Sequence, residues 1–203
     1  MIYSKKEVNK NDNSWRYKMK NIYICGIPRS GKTTLTKKIK ERYPNYNLFS
    51  FEAIRNAFVE SQPNLNMDNR NSQARKEILP KHFITFAKWN TEITGNPYLI
   101  EGSFCNIKEL KDLIEDDSVI LCLGLGCINI DEFARNIIKY DQENDYTKKW
   151  SLEKIKKHFY DQETIDKLNY NYCKKMNIKY YNTNDNREEI LNKIINELDK
   201  FCN

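Results

Sequence analysis

The segment Gly26-Ile-Pro-Arg-Ser-Gly-Lys-Thr33 matches the pattern G-x-x-x-x-G-K-[ST], whose residue types and spacing suit the binding of phosphate groups. Its glycines allow backbone angles and a close approach that a side chain would block. In such a loop the backbone N–H groups and the N-terminus of the following helix surround anionic oxygens. We therefore predict that this phosphate-binding loop holds a nucleoside triphosphate. The residues predicted to bind it are Gly26, Arg29, Ser30, Gly31, Lys32, Thr33 and Thr34.

Two residues of the loop have separate chemical roles in this prediction. The ammonium of Lys32 is expected on the β- and γ-phosphates, and the hydroxyl of Thr33 on Mg²⁺. The alternative is an ordinary glycine turn with a surface lysine. The flanking segments favour the phosphate site, because the apolar residues 21–25 predict a strand before the loop and residues 32–43 have helix-forming composition.

A carboxylate is the second candidate for chemistry. Glu101 ends the apolar run over residues 98–101 and is followed by Gly102, so its side chain is expected at the carboxyl edge of a sheet, beside the phosphate-binding loop. Ligands of open α/β sheets bind at that edge. There Glu101 could bind Mg²⁺ through water or accept the proton of an attacking hydroxyl. The alternative is a strand-end glutamate that is merely solvated.

The elements that must position these residues alternate between strands and helices. Strands are predicted over residues 21–25, 47–51, 98–101, 118–123 and 178–182. Helices are predicted over residues 32–43, 52–60, 73–94, 130–140 and 151–176, with a closing helix to about residue 201 and Pro80 as a possible break in the third. The nearly continuous apolar character of the third and fourth strands indicates a buried parallel sheet and hence an α/β domain.

Length and composition exclude several classes of protein. The 203 residues fit one ordinary domain, and no apolar run approaches the roughly 18–20 residues that cross a bilayer. The first twenty residues are polar and basic, without the apolar stretch of a secretory signal, so we predict a cytoplasmic protein without a membrane segment. Residues 1–18 precede the first strand and are predicted to be a disordered leader.

The cysteines and the net charge do not define a further site. Six cysteines are scattered without a Cys-x-x-Cys pair, and several lie in apolar runs, so we interpret them as reduced core residues. The formal charge of +6 would suit nucleic acid, but the lysines are interleaved with glutamates along helical segments. A phosphate-rich small ligand explains the charge equally well, and nucleic acid is not the expected partner.

In its phosphate-binding loop and its order of elements, the chain from residue 19 to about 200 resembles the P-loop kinases of the adenylate kinase, shikimate kinase and gluconate kinase type. The resemblance implies the three-layer P-loop NTPase fold, with a five-stranded parallel sheet of order 2-3-1-4-5 and a helical lid. It implies a single kinase-like domain over residues 19–203, with the lid segment at about residues 129–150. It also implies ATP and Mg²⁺ as cofactors, with the adenine near residues 183–187.

The same resemblance suggests roles for three further residues. Glu52 falls where the family often keeps an acidic residue for substrate or magnesium, and Arg55 on the same helix could hold an anionic group of the acceptor. Arg135 is the predicted catalytic cation of the lid segment, since a planar guanidinium bridges two phosphate oxygens. The alternatives are a carboxylate at a helix N-terminus for Glu52 and exposed surface residues for Arg55 and Arg135.

We predict a Mg²⁺-dependent kinase that transfers the γ-phosphoryl group of ATP to a small-molecule acceptor, with Lys32, Glu101 and Arg135 as catalytic residues. In this family the nucleoside monophosphate kinases usually have an arginine shortly after the third strand and several in the lid, whereas residues 101–106 contain none and the lid segment is mostly lysine. The resemblance therefore implies that a small hydroxylated or phosphorylated metabolite fits as acceptor at least as well as a nucleotide. The alternative is an ATP-binding regulatory module with weak ATPase activity that acts through a protein partner. A nucleic-acid ATPase is a third interpretation, but the chain lacks a second large domain and an arginine cluster.

Overall fold

The computed structural model describes residues 19–69, 72–102, 107–114, 118–143 and 145–202. The predicted leader, residues 1–18, lies outside them. Five strands are present: β1 Ile22–Gly26, β2 Asn47–Ser50, β3 Tyr98–Glu101, β4 Val119–Gly124 and β5 Lys179–Asn182. The α-helices are α1 Lys32–Arg42, α2 Phe51–Ser61, α3 Leu79–Thr94, α4 Ile107–Leu113, α5 Ile130–Tyr140, α6 Leu152–Lys175 and α7 Arg187–Cys202.

The strands form one parallel sheet in the order β2-β3-β1-β4-β5, which confirms the predicted topology. β1, the first strand in the chain, lies at the centre and pairs with β3 and β4. Ile24 and Ser50 are both register partners of Glu101, so the carboxyl ends of β1, β2 and β3 lie at one edge of the sheet. That edge carries the phosphate-binding loop.

Helices cover both faces of the sheet, as the predicted three-layer fold requires. On one face α1 and α7 pack against apolar strand residues such as Ile24 and Leu121. On the other face α3, α4 and α6 pack against residues such as Tyr23 and Ile100. Burial on both faces explains the nearly continuous apolar composition of β1, β3 and β4.

The structure differs from the sequence prediction in three local features. The predicted third helix begins with a π-helical turn over Ala74–Ile78, and Pro80 lies in the first turn of α3, where its missing N–H costs little. The short helix α4 was not predicted. β2 ends at Ser50, whose hydroxyl accepts a hydrogen bond from the backbone N–H of Ala53 and so caps α2.

The described cysteines correct one expectation. Cys25, Cys122 and Cys173 are free thiols buried in the core, as predicted. Cys127 is exposed, because it follows β4 in the loop that leads to α5. No helix in the described part of the chain is long and apolar enough to cross a membrane.

Candidate active site

The phosphate-binding loop joins the buried strand β1 to α1. Gly26 has a φ of +130°, and a Cβ there would lie 1.8 Å from the carbonyl oxygen of Leu123 on β4. The position therefore accepts only glycine. At the other end of the loop Gly31 has a φ of +88° and begins α1, and the buried Ser30 hydroxyl donates to the carbonyl of Ile27 at 2.8 Å. Backbone geometry thus fixes the loop from within.

Lys32 lies inside this loop. Its ammonium donates a hydrogen bond to the carbonyl oxygen of Ile27 at 2.8 Å. Burial lowers the pKa of Lys32, and the carboxylates of Glu101 and Glu52 act against this shift. The Lys32 ammonium therefore lies among polar groups, and an entering phosphate could replace them as its hydrogen-bond partner.

Glu101 and Thr33 face each other beside Lys32. The Thr33 hydroxyl lies 3.5 Å from Oε2 of Glu101. Burial raises the pKa of Glu101, and nearby Glu52 raises it further, whereas Lys32 and the Thr33 hydroxyl lower it. A carboxyl group with a raised pKa is suited to accepting a proton near neutral pH.

Gly102 allows Glu52 to lie beside Glu101 and Lys32. Gly102 has a φ of +154°, and a Cβ there would lie 2.5 Å from Cβ of Phe51 and 3.0 Å from Oε2 of Glu52. The N-terminus of α2 can therefore pack directly against the end of β3, which puts Glu52 beside Glu101. No cluster of three or more potential metal-binding side chains occurs among the described residues. Mg²⁺ does not need one, since one or two carboxylates, a hydroxyl, phosphate oxygens and water fill its octahedral shell.

Arg29 connects the loop to the lid segment. Its guanidinium donates to Oδ1 of Asp141 at 2.5 Å, to the Thr147 hydroxyl at 2.7 Å and to Oδ2 of Asp145 at 3.2 Å. The Thr147 hydroxyl in turn donates to the other oxygen of Asp141 at 2.5 Å. The Asp141 side chain is only 2% exposed, so this ion pair is largely shielded from water. Asp141, Asp145 and Thr147 are thus held against the tip of the phosphate-binding loop.

Two residues after β5 form hydrogen bonds to the backbone of the phosphate-binding loop. The Thr183 hydroxyl lies 2.9 Å from the Ser30 carbonyl and 3.0 Å from the Gly124 carbonyl. Arg187 donates to the Arg29 carbonyl at 3.0 Å. Burial lowers the pKa of the Arg187 guanidinium, and the neighbouring Arg29 lowers it further. Two guanidinium groups that line the same cavity favour the binding of an anion there.

Many of these residues line one cavity of about 720 Å³, a volume in the usual range for small-ligand sites. Of the predicted residues it brings together Arg29, Gly31, Lys32, Thr33, Thr34, Glu52 and Glu101. The remaining lining residues are Pro28, Lys37, Ser50, Tyr140, Gln142, Asp145, Tyr146 and Arg187. The lining therefore includes four residues from the lid segment and one from α7.

Four predicted residues do not line the cavity. Gly26 and Ser30 are buried within the loop and shape its backbone. Arg55 donates to the side chain of Asn56, its own neighbour, and Arg135 is exposed on α5. The cations that do line the cavity near the loop tip are Arg29 and Arg187. A recognisable signal existed only for Arg29, which belongs to the motif itself.

Neither a family model nor a curated protein sequence matches the chain. Solved structures do match in fold. A shikimate kinase from Bacteroides thetaiotaomicron is 13% identical with a TM-score of 0.59, covering 89% of this chain and 99% of that one. An unliganded sugar kinase from Janibacter sp. HTCC2649 is 14% identical with a TM-score of 0.57, covering 89% and 95%. The chain has the P-loop kinase fold.

Within a P-loop kinase fold, the convergence of these residues has a chemical meaning. Backbone N–H groups of the loop and the ammonium of Lys32 suit phosphate oxygens, and the Thr33 hydroxyl and Glu101 suit a magnesium ion. Glu52 stands at the end of the cavity where β2 and β3 terminate. The arrangement can therefore bind phosphate groups and a divalent cation close to one another.

Proposed function

We propose that this protein is a Mg²⁺-dependent kinase that transfers the γ-phosphoryl group of ATP to a small-molecule acceptor in the cytoplasm. The observation that carries the proposal is the meeting of Lys32, Thr33 and Glu101 in one cavity of about 720 Å³. The fold shared with structures of a shikimate kinase and a sugar kinase supports the same class of reaction.

Each of these residues has a role in the proposal. The loop and Lys32 would hold the β- and γ-phosphates, and Thr33 and Glu101 would hold Mg²⁺. When bound, the ion would neutralise charge that develops on the transferred group. Glu101 also takes the proton of the attacking hydroxyl, which its raised pKa favours. Glu52 and Arg55 remain candidates for binding the acceptor.

The lid segment is proposed to exclude water, since an open site would hydrolyse the triphosphate. Its contact with Arg29 supports this role, because Asp141, Asp145 and Thr147 already lie against the loop. Arg29 and Arg187 are the nearest candidates for stabilising charge on the phosphates. Arg135 keeps its proposed catalytic role only if lid movement carries its exposed side chain toward the cavity.

The decisive experiment is ATP turnover with Mg²⁺ against a panel of sugars, amino alcohols, sugar acids and phosphorylated metabolites. Lys32→Ala and Glu101→Gln are expected to lower kcat at least a hundredfold. Two exposed residues far from the cavity serve as matched controls, Lys174→Ala and Glu60→Gln, which should leave kcat unchanged. If Lys32 is needed for ATP binding but no acceptor raises turnover above basal hydrolysis, a regulatory ATP-binding module becomes the better account.

A further inference from the structure

Helix α3 presents an apolar strip to solvent. Its inner side packs into the core through residues such as Phe83 and Ala87. On its outer side the side chains of Phe86, Trp89 and Ile93 are 53%, 62% and 80% exposed. Spacings of three and four residues place these three side chains in one row along the helix. Single exposed apolar residues are ordinary, whereas a row of large ones marks an interaction surface.

The strip is self-complementary when the helix is reversed. The exposed His82 extends the row by one turn, and positions 82, 86, 89 and 93 follow the spacing of four and three residues by which two helices pack along a common seam. In an antiparallel pair of α3 helices, Phe86 of one copy can lie opposite Trp89 of the other. The same register places His82 opposite Ile93, because the two pairs of positions have the same midpoint in the sequence.

Two opposite charges accompany the strip. Lys81 and Glu92 are both exposed, and they are eleven residues apart, which is about three helical turns. They therefore lie on the same flank of the strip, one at each end. A twofold axis that relates two antiparallel helices keeps this flank on one side of the contact and exchanges its ends. Lys81 of each copy then meets Glu92 of the other.

This charge pattern selects the occupant of the strip. A partner surface of one charge sign would complement Lys81 or Glu92 but repel the other. A parallel second copy would place the two flanks on opposite sides of the contact, where these charges do not meet. An antiparallel second copy complements both charges at once.

We propose that a second copy of this chain packs antiparallel on α3, in a symmetric dimer centred on Phe86 and Trp89. The three apolar side chains expose roughly 400 Å² on each copy. With the flanking polar residues, two copies would bury roughly 1,000–1,200 Å² in total, near the lower end for specific interfaces. The expected dissociation constant is accordingly on the order of micromolar. The dimer does not depend on the proposed kinase function.

Sedimentation equilibrium of the full-length protein over roughly 1–100 µM tests for the dimer. Trp89→Lys should raise the dissociation constant at least about a hundredfold, because a central aromatic contact is lost from both copies. Tyr160→Lys, which replaces a 59% exposed aromatic residue on α6, is the matched control and should leave it unchanged. Circular dichroism establishes that both variants keep the fold. A chain that stays monomeric at about 100 µM would overturn the proposal in favour of a different partner protein on the strip. A dimer that persists in Trp89→Lys would overturn it as well.

A charge exchange tests the antiparallel arrangement. Lys81→Glu and Glu92→Lys should each raise the dissociation constant about tenfold, because either change turns two attractive contacts of the dimer into repulsive ones. The double variant restores both contacts with the charges exchanged, so its dissociation constant should return close to that of the unchanged protein. Single changes without effect, or a double variant as weak as the single ones, would refute the assigned pairing of Lys81 with Glu92.

Discussion

Replacing Asp141 by asparagine tests whether the contact between Arg29 and the lid segment stabilises the folded protein. Asparagine keeps the shape and one acceptor oxygen but removes the negative charge. Removing one partner of a fully buried ion pair costs about 3–5 kcal/mol. The Asp141 side chain is 2% exposed, but that of Arg29 is 25% exposed and retains Asp145 as a partner. We therefore expect a loss of about 2 kcal/mol in the free energy of unfolding.

A loss of this size is easily measured. For a domain of about 150–250 residues each kcal/mol lowers Tm by roughly 2–4 °C, so Asp141→Asn should lower Tm by roughly 4–8 °C. Glu143→Gln, an exposed acid in the same segment, is the matched control and should shift Tm by less than about 1 °C. Thermal unfolding followed by circular dichroism gives both values.

A double-mutant cycle separates the ion pair from general damage to the lid segment. If Arg29 and Asp141 act together, Arg29→Met combined with Asp141→Asn should cost at least about 1 kcal/mol less than the sum of the single changes. Additive losses would show that the two residues stabilise the protein independently. Asp141→Asn with the same Tm as Glu143→Gln would refute the reasoning altogether.

Three further predictions concern the site and its supports. Burial and Glu52 raise the pKa of Glu101, so kcat should fall on the acidic side of the pH profile at a higher pH than for an ordinary glutamate. Glu52→Gln should move this acidic limb to lower pH. An acidic limb that stays in place in Glu52→Gln would contradict the reasoning. Gly102→Ala should lower the free energy of unfolding by about 2 kcal/mol or more, because the added Cβ would clash with the start of α2. Gly95→Ala is the control, since the space around Gly95 is open, and it should lower the free energy of unfolding by only about 1 kcal/mol. Urea unfolding measures both values. The Asp166 carboxylate accepts hydrogen bonds from two backbone N–H groups after β4, so Asp166→Ala should lower the free energy of unfolding by about 2–3 kcal/mol in the same assay. Asp166→Asn should lower it less, because burial raises the pKa of Asp166 and disfavours its charged form.

The sheet and the loop were predictable because their signals are local. An apolar run, a glycine-rich pattern and a helix-forming segment stand next to one another around residues 21–43. Glu101 could be placed as well, since the end of a buried parallel strand has a fixed position relative to the loop. Helix α4 was missed because it is seven residues long and gives little periodic signal.

The lid contacts were not predictable for a different reason. Arg29 meets Asp141 across 112 residues of sequence, and Arg187 meets the Arg29 carbonyl across 158. Helical periodicity identifies the polar face of α5, but it does not tell whether that face points to the cavity or to solvent. Arg135 shows this limit, because its chemistry suits phosphate and its side chain is exposed on that face.

The Thr183 hydroxyl has a consequence for how the protein acquires its ligand site during synthesis. It bonds to the carbonyl of Ser30, which leaves the ribosome 153 residues earlier. β1 also pairs with β3 and β4, and β4, which comes later in the chain, ends at residue 124. A nascent chain shorter than about 185 residues therefore lacks a contact that fixes the phosphate-binding loop, and nucleotide affinity should emerge only after Thr183 has been synthesised and has reached the loop.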